Sequence, residues 1–347
     1  MFWTLVIIFS LLTALLGSLA ITLAVFYNCP GEPKSKPRPY VNRNILARGW
    51  CECNNSENSA SEQKYLNENT EHLAKAKDMT HMVNSDMVWV RMGSPNRLQA
   101  YGYAISRMCD LDVFVKYILP KRTKEFTLIT SDGDRSIPSE LRSSTVHAIL
   151  SSKLLKVWFT QNYDGTNPKI KPIPIGLCLH TQKGLHDPQL QFDTIRLQST
   201  NVARKIRIWS DCHLQDYALR HGNPRGSFRK LMNRLKFVDA PPKRLTQAEI
   251  WKTYTEYGFV LSLPGNGLDC HRTWEALYLG AIVITVPNSL VPMYEGYRVE
   301  LVSENEWLTK LNDGEWLQKT FEKHMANTPI FNDTPKDWLT KQKEKHD

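Results

Sequence analysis

The chain is predicted to fold as an α/β protein with two parallel-sheet layers. Three observations point there. Short apolar runs at residues 126–130, 156–160, 206–210, 259–263 and 281–286 alternate with helix-length segments, the pattern of strands buried on both faces between helices. The 347 residues, 41% hydrophobic and 23% charged, are enough for two globular domains of ordinary size. Residues 258–285 contain one complete strand–turn–helix–strand unit.

Each element has its own signal. Residues 1–27 carry no charged side chain, and a run of that length spans a bilayer. It reads as a transmembrane signal-anchor. Residues 28–80 read as a flexible stem, with Pro30, Pro33, Pro37 and Pro39 followed by a polar stretch rich in Asn, Ser and Glu. The first α/β domain is expected over 81–200. Its elements are a strand at 87–91, a helix at 99–109, a second element at 112–119 and a strand at 126–130. A turn at 131–135, a helix at 146–155 and a strand at 156–160 follow. A further strand or edge piece at 171–177 is limited by Pro172 and Pro174.

The second domain is expected over 201–347. It opens with a strand at 206–210, whose exit carries Asp211-Cys212-His213. A basic loop at 220–229 leads to a helix ending near Leu235. A helix at 246–257 follows, where Thr246 with Glu249 forms a capping box and Ile250 and Tyr254 share a face. In the unit at 258–285, Pro264, Gly265 and Gly267 break the first strand. Asp269 or Cys270 starts a helix that ends at Gly280, and the Asp269 side chain suits an N-cap. A short helix at 290–297, a last strand at 299–302, a helix carrying Trp307 and Leu311, and a helical tail at 316–339 packing across the domain junction complete the chain.

The ligand edge of a parallel sheet is the C-terminal end of its strands. Here that edge carries Gly265, Asn266, Gly267, His271, Arg272 and Glu275. A helix start and an Arg attract phosphate, and a carboxylate one turn on can accept from sugar hydroxyls. The residues therefore suit a nucleotide or nucleotide-sugar ligand. An Arg272–Glu275 pair that only braces its own helix fits the spacing equally.

The pattern Pro264-Gly-x-Gly-x-Asp-x-x-Arg-x-Trp-Glu-Ala-Leu-x-x-Gly-Ala-Ile-Val-Ile284 resembles the donor-side motif of exostosin-like glycosyltransferases. It is also similar to the ribitol xylosyltransferase type. The match covers roughly residues 245–300, with a weaker echo at 158–164 and 173–177. This resemblance implies a GT-B-like pair of Rossmann-type domains with a cleft between them. It implies an inverting transferase that uses a nucleotide sugar, UDP-linked, and a glycan or glycoconjugate acceptor. Arg272 and Glu275 would face the diphosphate and ribose. Arg225 and Arg229 fall where such enzymes place a basic residue against the diphosphate; a solvated basic loop is the other reading. No metal or other cofactor is expected, since that class uses Arg, Lys and helix dipoles.

An inverting transfer needs a base for the acceptor hydroxyl. Asp132 and Asp134, at the end of a buried strand, Asp164 and His180 are the candidates, with Asp134 the first choice. Asp110-Leu-Asp112 and Asp132-Gly-Asp134 have the spacing of the metal-holding motif of the other major glycosyltransferase fold, which leaves a divalent ion open.

The net charge of +9 suits phosphate-bearing donors, acidic glycans or an anionic membrane surface, and no nucleic-acid motif accompanies it. The Gly-x-Gly-x-x-Gly of a dinucleotide oxidoreductase and a kinase-type P-loop are absent. The seven cysteines are odd in number and set no connectivity. The ten tryptophans serve a core or supply platforms for sugar rings. Sequons at Asn54 and Asn332 permit glycosylation. The resemblance implies a single-pass type II protein with its body in the Golgi or ER lumen, whereas Lys34, Lys36, Arg38, Arg43 and Arg48 after the span favour a cytosolic body. A homo-oligomer is left open.

Overall fold

The computed structural model describes residues 79–93, 110–165, 167–178, 188–199, 202–212 and 220–331, all within one compact unit, Pro39–Asp347. The expected anchor, the stem up to residue 78, the helix at 99–109, His180, His213, both sequons and Cys29, Cys51, Cys53 and Cys109 lie outside the described residues. Among the described residues no helix is long and apolar enough to cross a membrane.

Two all-parallel sheets organise the fold. The first contains β1 (Met87–Gly93), β2 (Phe126–Gly133), β3 (Leu155–Thr160) and β4 (Ile170–Pro172), in the spatial order β1-β2-β3-β4. The second contains β5 (Lys205–Trp209), β6 (Val238–Asp239), β7 (Tyr257–Leu261), β8 (Ile282–Thr285) and β9 (Val299–Leu301), in the order β6-β5-β7-β8-β9. The connecting helices are α1 (Ser143–Leu150), α2 (Pro188–Gln198), α3 (Pro224–Leu231), α4 (Gln247–Glu256), α5 (His271–Tyr278) and α6 (Gly314–Asn327).

Strand side chains alternate between faces, and both faces are covered, which is why the strands read as continuous apolar runs. Val88, Val90, Phe126 and Leu128 enter one core with Leu111, Phe114 and Ile118 of the helical segment before β2. Ile208, Phe259, Leu261, Ile282 and Ile284 enter a second with Phe228 and Trp307. Trp89, Ile129, Trp209, Val260 and Val283, on the opposite faces, meet in a third core that both sheets share. Trp89, Trp158, Trp251, Trp274 and Trp307 are fully buried, so these tryptophans serve packing.

The unit at 258–285 folds as β7, α5 and β8, with β7 and β8 parallel neighbours. α5 ends at Gly280 (φ 84°) in the Schellman manner, with the Ala281 N–H donating to Ala276 O at 2.9 Å. α4 carries the expected capping box of Thr246 and Glu249. Several expectations are corrected. Met79 is buried in the first core, so folded structure begins ahead of the expected domain start at 81. β2 continues through Gly133, which shortens the expected turn. The helix expected over 146–155 is α1 and stops at Leu150; Leu155 opens β3.

The expected basic loop over 220–229 is largely helix. Asn223 caps α3 by accepting from the Gly226 N–H at 3.1 Å, and Pro224 opens it. α2 matches no expected element. Its Phe192 stacks on Tyr278 at 5.0 Å and meets Trp251 edge-on, so neighbours on α4 and α5 define this helix more than its own sequence does.

Candidate functional site

The order of the second sheet reverses between β5 and β7: the chain leaves β5 toward β6 and returns to add β7, β8 and β9 on the other side. Loops diverge at such a point, and a crevice opens at the C-terminal ends of the two strands. A cavity of about 1360 Å3 lies there. Ser210, Asp211 and Cys212 reach it from β5, and Gly265, Asn266 and Gly267 from β7. The loop of Lys243 and Arg244, and Tyr254 of α4, form further wall. Asp134 reaches it from the first sheet, just past β2.

Of the expected donor-side residues, Gly265, Asn266, Gly267, Arg225, His271, Arg272 and Glu275 all line this cavity. Arg229 does not. It is exposed on α3, one turn beyond Arg225 and so roughly 6 Å farther along the helix. Arg225 lies against Gly265, where a Cβ would sit 2.5 Å from Nη2, so the missing side chain makes room for the guanidinium. Its Nε and Nη2 donate to Leu263 O at 3.2 and 3.0 Å. Among the described residues Arg225 has no carboxylate partner.

Arg272 does not pair with Glu275. Its Nε donates to Asp211 Oδ1 at 2.5 Å and its Nη2 to Asp211 O at 3.2 Å, while Tyr254 OH donates to Asp211 Oδ2 at 2.8 Å. Burial works against the Arg272 charge, and Cys212 and Asp211 more than compensate, holding its pKa above the ordinary arginine value. Asp211 stood at a strand exit in the sequence, without a sign that it would neutralise the motif arginine.

Three motif side chains hold the strap that leaves the first half. Asp269 Oδ2 accepts from Ile175 N at 2.7 Å, His271 Nδ1–H donates to Gly176 O at 2.7 Å, and Glu275 Oε1 accepts from Cys178 N at 3.2 Å. Of the two expected helix starts, Asp269 and Cys270, the structure selects Cys270. Cys270 is the N-cap of α5 without a side-chain bond, and Asp269 instead accepts from Ile175, Cys270 N and Trp274 Nε1. Burial pushes the Asp269 carboxyl up to about 7. Burial does the same to Glu275, also to about 7, against the opposing pull of the Trp251 indole, the Cys178 amide and the Arg272 charge.

The expected catalytic residues separate. Asp134 lines the cavity. Asp164 does not: it closes a turn of the first half by accepting from Ser139 N at 2.8 Å. Asp132 belongs to β2, with its side chain outside the described set. Asp112 of the other Asp-x-Asp pattern is buried, accepts from Thr145 Oγ1 and pairs with Arg142 at 3.7 Å, and it is not among the residues lining the cavity. No tryptophan is among the residues lining the cavity, but all three described cysteines, Cys178, Cys212 and Cys270, are.

No family model matches the chain, and no curated protein does. Among solved structures it is similar to a candidate UDP-N-acetylglucosamine 2-epimerase from Listeria monocytogenes, at 11% identity over 80% of this chain and 79% of that one, with a TM-score of 0.38. It is likewise similar to the UDP-GlcNAc 2-epimerase from Methanocaldococcus jannaschii, at 11% identity over 79% of this chain and 80% of that one, with a TM-score of 0.32. Likenesses this distant carry no argument about chemistry.

Proposed function

We propose that this chain is a glycosyltransferase of the GT-B kind, moving a sugar from a UDP-linked donor to a glycan hydroxyl with inversion, at a Golgi or ER membrane. The observation that supports it most is the cavity at the strand-order reversal, where Arg225 presents a positive charge with no carboxylate partner among the described residues. In this reading Arg225 and the start of α5 take the diphosphate, with Lys243 and Arg244 at the lip of the cavity. Arg272, already neutralised by Asp211, shapes the site more than it binds phosphate. Glu275, with a pKa near 7, can donate to or accept from a ribose hydroxyl. Asp134 takes the proton as the acceptor oxygen attacks the anomeric carbon, the bond from that carbon to the diphosphate oxygen breaks, and the nucleoside diphosphate leaves against the cations.

A second reading is a catalytically weak glycan-binding or assembly partner. It is favoured by the commitment of Asp269, His271 and Glu275 to the 175–178 strap. One assay separates the two: nucleotide release by the full chain across a panel of nucleotide sugars with glycan acceptors, with and without EDTA. Transfer predicts one preferred donor, and an Asp134→Asn variant that binds it normally but turns over about 10²–10⁴-fold more slowly. Donor binding without turnover for any acceptor supports the second reading, and loss of turnover in EDTA would overturn the metal-free mechanism.

A further inference from the structure

In the turn after β3, one side chain bonds to both halves. Asn162 is 1% exposed and has a left-handed backbone (φ 53°). Its Nδ2 donates to Gly133 O at 3.0 Å, the carbonyl immediately before Asp134. Its Oδ1 accepts from Asp269 N at 2.9 Å, in the loop that carries the donor-side glycines. Gly267 makes room for it: a Cβ there would lie 2.8 Å from Asn162 Oδ1. The Asn162 carbonyl accepts from Ile137 N at 3.0 Å, which ties the far side of the Asp134 turn to the same residue. Tyr163 O, next along, accepts from Ser289 Oγ of the second half at 2.7 Å.

We infer that Asn162 is a positioning residue that fixes the Asp134 turn of the first half against the donor loop of the second. One amide serves both sides because it offers a donor and an acceptor on separate atoms, whereas an ionised carboxylate only accepts. The turn needs a left-handed backbone at this position, a conformation Asn tolerates. This inference rests on the transferase reading, in which Asp134 must meet an acceptor oxygen beside the sugar that the donor loop holds.

Two variants of the full chain test it. Asn162→Gly keeps the backbone conformation and removes both side-chain bonds. Asn162→Asp keeps the acceptor for Asp269 N and loses the donor for Gly133 O. In both, kcat should fall about 100-fold, the scale expected of a displaced catalytic group, with the Kd for UDP within about threefold of the parent. The limb of the pH–rate profile set by the general base should move in both as well, a shift that general destabilisation does not produce. A parent that turns over donor while both variants keep kcat within threefold overturns the positioning role alone, as does a fall in UDP affinity equal to the fall in kcat. A parent that neither binds nor turns over any nucleotide sugar overturns the transferase reading, and the positioning role with it.

Discussion

The two sheets share parallel strands and a common core yet differ in order, and the difference locates the site. In the first sheet β1 to β4 follow one another in a single direction, so its described loops leave side by side. In the second the chain turns back after β6 and sets β7 on the other side of β5, which opens a crevice between Ser210 and Gly265. The second sheet therefore builds the cavity, whereas the first contributes Asp134 and the Asn162 tie to it. Binding chemistry follows from strand order on one side and from a single turn on the other.

The largest effect should come from Arg272, within the second half. Arg272→Ala leaves Asp211, whose side chain is 5% exposed, with Tyr254 and, among the described residues, no positive partner. Breaking a buried pair in this way costs about 3–5 kcal/mol. Urea unfolding should show that loss, and a change below about 1 kcal/mol would mean that the pair braces nothing.

A smaller break is Gly267→Ala. The new methyl meets Asn162 at 2.8 Å, and one of the two must shift. Destabilisation of about 1–3 kcal/mol is expected, as for other overpacked sites. It should fall together with any effect of Asn162→Gly in a double-mutant cycle; additive effects would show that the two positions do not communicate.

The pH response sharpens the same contrast. Asp269 and Glu275 sit near pKa 7 in the folded chain, against about 4 when unfolded. The folded state thus holds more protons between those values. The stability these groups contribute is fully present below about pH 4 and is progressively lost as the pH climbs through 7, above which the curve flattens. Glu275→Gln should leave stability at pH 4 nearly unchanged and raise it at pH 8 by about 1–3 kcal/mol, read by thermal or denaturant unfolding at the two values. Equal effects at both pH values would place the Glu275 pKa well below 7. Thr246→Ala, at the wall of the cavity, removes the side-chain cap of α4 and should cost about 1 kcal/mol, read by the same unfolding measurement.

Much of this was legible in the sequence, for physical reasons that can be named. The runs at 126–130, 206–210 and 259–263 gave strands because each is covered on both faces, and the Thr246 capping box set the start of α4. The cavity collected Arg225, His271, Arg272, Glu275 and the glycine loop because all follow strands whose exits the topology brings together. What stayed hidden depends on long-range partners. Asp211 lies 61 residues from Arg272, and Asn162 lies 107 from Asp269; no local pattern marks either bond. α2 was missed because the aromatic residues that define it, Trp251 and Tyr278, belong to other helices. Nor does the sequence reveal that the Asp164 carboxylate closes a turn of the first half by accepting from Ser139 N.

The central claim is that the cavity between β5 and β7 binds a nucleoside diphosphate through Arg225. Calorimetric titration of UDP into the full chain and into Arg225→Ala tests it most directly. The account predicts saturable binding by the parent and affinity weaker by about 10–100-fold in the variant, the loss of roughly 1.5–3 kcal/mol expected for a charge-assisted contact. Parent and variant binding UDP equally, or a folded parent that does not bind it, would contradict the account.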